Sequence, residues 1–182
     1  MNASVLFSPT KAFEDAFHNE NAKGALGIVL LTSLFLAIAG YLVLGNVFAS
    51  AYLAVGNIIQ WFVLAFFVWF FEFIHVRKKK HLVGVSFYQC LSVVGKLWTI
   101  SLISAIIFVL TAFLTLLFGS GITIFLAVLL LLSTVVLTIA WLVASFKLIK
   151  VVLGVEKWKL VLNWIIINIL YVITTGILLT IL

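Results

Sequence analysis

Glu72 and His75 stand three residues apart, a spacing that puts a carboxylate and an imidazole on one helix face. Helical bundles that hold two iron ions use this Glu-x-x-His pair twice and add two more glutamates. Here the pair occurs once, and the one further glutamate in a loop between apolar segments is Glu156. Hydrolysis inside a membrane by paired carboxylates needs two aspartates, and Asp15 stands alone. A serine nucleophile at that depth needs a histidine beside it, and His18, His75 and His81 all fall outside the apolar runs. The glycines are scattered rather than gathered in a phosphate-cradling loop, and the single cysteine, Cys90, has no partner for an internal disulfide. The reading is of a chain with no catalytic residue, no metal and no cofactor.

The elements that must position these residues follow from composition. Of the 182 residues, 66% are apolar and 9% are charged, against roughly 45–50% and roughly 25% in a soluble domain. One small core cannot hide that much apolar surface, which excludes a soluble enzyme, a disordered tail and a disulfide scaffold. The expected fold is all-α: a polytopic membrane protein with five transmembrane helices in a single domain over residues 1–182. The predicted spans are 25–44, 53–74, 98–118, 122–144 and 162–182, each close to the roughly 20 residues that cross a hydrocarbon core. Open strands would leave backbone donors unpaired in lipid, so the spans must be helices. Residues 45–55 are uncharged and fit either a longer second helix or a stretch in the interface.

Charge sets the orientation. The segment 75–97 carries Arg77, Lys78, Lys79, Lys80 and Lys96, and the segment 145–161 carries Lys147, Lys150, Lys157 and Lys159. The two alternate connections carry no charge, and lysine and arginine mark cytoplasmic loops. The expectation is N-in/C-out. Arg77, Lys78, Lys79, Lys80, Lys147, Lys150, Lys157 and Lys159 are then candidates to bind anionic lipid or a partner, each worth about 1 kcal/mol near a charged surface.

Residues 1–24 form the cytoplasmic N-terminus in this reading. Ser8-Pro9 has the form of a helix start, and Ala12, Phe13, Ala16 and Phe17 share a face. That predicts a short amphipathic helix, Pro9 to about Asn19, lying on the cytoplasmic membrane surface. Ser86 can cap a short interfacial helix in which Phe87, Cys90, Leu91 and Val94 share a face and which leads into span three. Span four continues past the membrane, turns near Gly154 and restarts at Trp158. Trp69, Trp98, Trp141, Trp158 and Trp164 read as an interfacial belt. Thr111, Thr115, Ser133, Thr134, Thr138, Asn163, Asn168, Thr174 and Thr175 read as hydrogen-bonding links between helices. The other reading of these groups is a narrow polar path with Asn168 and Tyr171 along span five.

Four features together are similar to the Yip family, multi-pass membrane proteins named for binding Ypt/Rab GTPases, and especially to its short prokaryotic branch. They are the entry Ser8-Pro9-x-Lys11-Ala12-Phe13, the five spans, Gly84-Val85-Ser86-Phe87 followed by Leu91-Ser92-Val93-Val94-Gly95, and Trp141 followed by a basic extension and a last span. The likeness implies a membrane protein without an assigned reaction. No proline stands near the start of span three and the N-terminal region is short, so Rab binding is not implied.

The function expected is non-enzymatic: organising membrane or acting as an adaptor through the basic cytoplasmic face. Its partners would be anionic head groups, and a membrane protein or a second copy of the chain, without nucleic acid. The alternative is a small permease, channel or lipid scramblase acting as an oligomer. The short length favours a prokaryotic plasma membrane.

Overall fold

A computed structural model describes residues 4–19, 22–78, 84–155 and 157–181. Lys79, Lys80, His81 and Glu156 lie outside them. Among the described residues every regular element is a helix: α1 (Ser4–Phe7), α2 (Pro9–Asn19), α3 (Ala22–Leu44), α4 (Val47–Lys78), α5 (Phe87–Phe118), α6 (Ser120–Leu153) and α7 (Lys157–Ile181). Helices α3 to α7 are each long and apolar enough to cross a membrane.

Three of the helices are longer than their apolar runs. α4 and α5 have 32 residues and α6 has 34, or about 50 Å at 1.5 Å per residue against a hydrocarbon core of about 30 Å. Helical hydrogen bonding does not stop where hydrocarbon stops, and the one proline is Pro9. The uncharged stretch after residue 45 therefore joins α4, which Asn46 caps by accepting from the amides of Phe48 and Ala49 at 2.8 and 3.3 Å.

The separate interfacial helix before span three is corrected in the same way: it is the first three turns of α5. Its start is as read. Ser86 is extended (φ −71, ψ 152), its Oγ accepts from the Gln89 amide at 3.1 Å, and Gln89 Oε1 accepts from the Ser86 amide at 2.8 Å. These two bonds satisfy donors that a helix start otherwise leaves bare. The turns that follow lie in the core, with Cys90, Val93, Val94 and Leu97 fully buried.

α5 is the centre of the bundle and packs on α1, α2, α3, α4 and α6. The core gathers in the half that carries the basic residues, where Phe13, Val29, Val68, Leu97, Trp98, Leu148 and Ile149 form one cluster. The amphipathic helix α2 spans Pro9–Asn19 as expected, but its apolar face meets protein. Ala12, Phe13 and Ala16 are buried, and α2 packs on α5 and α6. The Ser92 hydroxyl donates to the Ala16 carbonyl at 3.1 Å. The expectation of a helix resting on the membrane surface is thus corrected: α5 and α6 cover its apolar stripe in place of lipid.

Three glycines with positive φ stand at the sharp reversals, Gly45 (φ 62) between α3 and α4 and two more further on. Gly119 (φ 64) alone links α5 to α6, and Gly154 (φ 55, ψ 25) ends α6 with its amide donating to the Lys150 carbonyl at 3.1 Å. Both need the left-handed region that glycine enters at little cost. At the opposite end from the core the bundle opens. The first half of α6 exposes Ile124, Phe125, Val128, Leu131 and Leu132, faces that suit acyl chains.

Candidate functional site

The middle of the bundle holds a polar network. Ser33 lies about 16 Å from either end of α3 at 1.5 Å per residue. Its Oγ accepts from Asn57 Nδ2 of α4 at 2.8 Å and donates to the Val29 carbonyl at 2.9 Å. Asn57 Nδ2 also reaches the Val29 carbonyl at 3.3 Å, and Asn57 Oδ1 accepts from Trp98 Nε1 of α5 at 3.0 Å. One amide therefore joins three helices. Trp61 Nε1 makes a second tie from α4, to the Leu91 carbonyl at 3.2 Å. The interfacial-belt reading of Trp98 is corrected here: its ring is buried and its N–H is spent inside the bundle. Trp164 also ties helices, donating to Ser145 Oγ of α6 at 2.9 Å.

Beside this network lies a cavity of about 520 Å³ walled by α3, α4, α5 and α6. Asn57, Gln60, Ser101, Ser104, Thr134 and Thr138 give it a polar lining, between the rings of Phe108 and Trp141. Thr134 spends its hydroxyl on the Leu130 carbonyl at 2.7 Å. Gln60, Ser101, Ser104 and Thr138 make no side-chain hydrogen bond among the described residues. The lining carries no charged group. Thr138 was among the polar residues singled out from the sequence, whereas Gln60, Ser101 and Ser104 were not. Their signal was available: Asn57 and Gln60, and Ser101 and Ser104, recur at the spacing of one helix face. The two residues of the alternative polar path along α7 have contacts within the bundle. Asn168 Nδ2 donates to Trp164 of its own helix at 2.7 Å, and Tyr171 stacks on Trp141 with ring centres 6.3 Å apart.

Two of the basic residues meet at a second feature of the structure. Lys147 and Lys150, three apart on the end of α6, line a cleft of about 920 Å³ with Phe146, Val155, Trp158 and Leu160. The Gly154 reversal brings α7 back so that Trp158, 69% exposed, faces the same cleft. Lys159 is exposed on α7 without lining it. Arg77 and Lys78 end α4 and Lys157 begins α7, so the backbone sets them at the same end of the bundle.

Glu72 and His75, the one pair with metal-like spacing, have structural partners. Glu72 is 4% exposed, with the backbone amide of Val85 and the His75 ring beside it. His75 Nδ1 meets the Phe71 carbonyl at 2.7 Å, and Nε2 meets Asn163 Nδ2 of α7 at 3.3 Å. Both contacts are satisfied when Nδ1 carries the proton and Nε2 accepts. The pair thus ties the end of α4 to the segment before α5 and to α7.

Five helices long and apolar enough to span make this a multi-pass integral membrane protein of the all-α class. No family model, curated protein or solved structure matches the chain. The likeness to the Yip family rests on the sequence features alone.

Proposed function

We propose that this protein is non-enzymatic and organises membrane, or holds a partner, by binding anionic lipid head groups at its basic end. The observation that carries this reading is the cleft in which Lys147 and Lys150 meet the exposed Trp158. Ammonium groups attract phosphate, and an indole prefers head-group depth, where its ring is covered and its N–H is wet. Lys159 is exposed near the same end and adds to the positive charge there, and the backbone of α4 and α7 sets Arg77, Lys78 and Lys157 at that end. The positive-inside rule favours a cytoplasmic basic end, hence N-in/C-out.

The test is the lipid that stays with protein purified in mild detergent. Two ammonium groups contribute about 2 kcal/mol, so Lys147→Gln with Lys150→Gln is expected to weaken phosphatidylglycerol retention about thirtyfold at low salt. Raising the salt should shrink the difference. Equal retention by both proteins would remove the reading.

A second reading is favoured by the mid-bundle cavity: a small permease, channel or lipid scramblase acting as an oligomer. It expects flux of solute or labelled lipid in proteoliposomes that falls when Thr138 becomes leucine. Tight vesicles at normal protein density would sink it.

A further inference from the structure

The 520 Å³ cavity is not the whole of the space between α5 and α6. A second cavity of about 410 Å³ shares two wall residues with it, Phe108 and Leu130, and runs on toward the open end of the bundle. Its lining is mainly apolar, including Leu42, Leu116 and Leu126, and its two threonines are already satisfied. Thr111 and Thr115 donate to the carbonyls of Ile107 and Thr111 at 2.9 Å each. The two spaces therefore differ in chemistry. The inner one offers unpartnered hydrogen-bonding groups, and the outer one offers mainly apolar surface.

We propose that this pair of cavities binds an uncharged lipid, with a head that carries carbonyl or hydroxyl oxygens held in the inner cavity and its chain in the outer one. The Gln60 amide and the hydroxyls of Ser101, Ser104 and Thr138 supply donors around the inner space, and acyl chains of the bilayer cannot accept from them. Leaving such groups unpaired in an apolar medium is costly, so a ligand with oxygens gains where hydrocarbon does not. The size suits one head group, since ligand cavities run from about 300 to 1,000 Å³. Charge is disfavoured because the site lies at mid-bundle depth and no residue in its lining carries a countercharge. A small water-soluble solute would leave the outer apolar space without purpose, while an amphiphile fills both. Access is lateral: Thr134 and Thr138 lie on an exposed stretch of α6, among Leu131, Val135 and Ile139, that no other described helix covers. An isoprenoid quinone and a diacylglycerol both have this chemistry, one with ring carbonyls and one with a free hydroxyl. Trp141 and Phe108 on the walls suit a flat ring.

The experiment uses the whole protein in phosphatidylcholine nanodiscs. Decylubiquinone and dioctanoylglycerol are titrated separately, with a phosphatidic acid as the charged control, and bound lipid is counted by native mass spectrometry. Saturable binding of one neutral probe at one site is expected, with the control absent. Gln60→Leu with Thr138→Val keeps the volume and removes hydrogen-bonding groups, and should raise the Kd at least about tenfold. Ser104→Phe should block the site. If that variant does not assemble, the volume-conserving pair decides alone. A quinone that binds while the glycerolipid does not selects the ring, and the reverse selects the hydroxyl. Neither probe saturating, or both variants binding as the parent does, would overturn the inference. Binding without any flux would leave it standing and remove the transport reading instead.

Discussion

Replacing Gly95 by valine is expected to separate α3 from α5 and to cost about 3 kcal/mol, the upper end for overpacking. A Cβ at Gly95 would fall on the Ala25 side chain and lie 2.8 Å from the Ala25 Cα, a backbone atom that cannot swing aside. Both helices would have to shift together. In lipid the apolar faces of two helices gain little by meeting, and close backbone approach with its dense packing is what holds them. The loss should appear as a lower midpoint in mixed-micelle unfolding and as a larger aggregated fraction. Gly95→Ala paired with Ala25→Gly removes the clash with the Ala25 side chain but leaves the new Cβ 2.8 Å from the backbone Cα, so it should recover only part of what Gly95→Ala alone loses. A valine variant that unfolds like the parent would mean that α3 and α5 do not meet at this point.

Phe13→Ala is expected to release α2. Truncating a fully buried phenylalanine costs about 3–5 kcal/mol, and Phe13 lies within the core cluster alongside residues of α5 and α6. The rest of α2 holds on by Ala12, Ala16, the partly buried Phe17 and the Ser92 bond to the Ala16 carbonyl, less than the fully buried ring supplies. Release would make the chain around Lys11 a protease substrate while α3 to α7 stay assembled. Limited trypsin digestion should cut there much faster in the variant, with the remaining fragment intact. Unchanged cleavage would mean that lipid holds α2 in place of α5 and α6.

Much of the architecture was legible because it rests on local chemistry. Five apolar runs demand five helices. Ser86 with Gln89, and Gly154 after the basic turn of α6, mark a start and a stop that need only neighbouring residues. Lys147 and Lys150 share a face by spacing alone. What stayed hidden depends on which helices meet. Trp98 has the composition of a belt residue until Asn57 of another helix is set against its N–H. Phe13 marks an amphipathic face, but nothing near it in sequence says whether protein or lipid covers that face. Averaging over an apolar window also conceals single amides, and Gln60 is one polar group in a long apolar helix. Trp158 joins the two lysines only because Gly154 reverses the chain by a particular angle.

The most direct test of the proposed function is to see which lipid lies against Trp158. The protein is reconstituted in vesicles that contain phosphatidylglycerol or phosphatidylcholine brominated on its chains, and quenching of tryptophan fluorescence is measured. The Trp158 share is taken as the difference from Trp158→Phe. The account predicts that brominated phosphatidylglycerol quenches that share more strongly than brominated phosphatidylcholine, and that the preference disappears in Lys147→Gln with Lys150→Gln and fades as salt is raised. Equal quenching by the two lipids in the unmodified protein would contradict it.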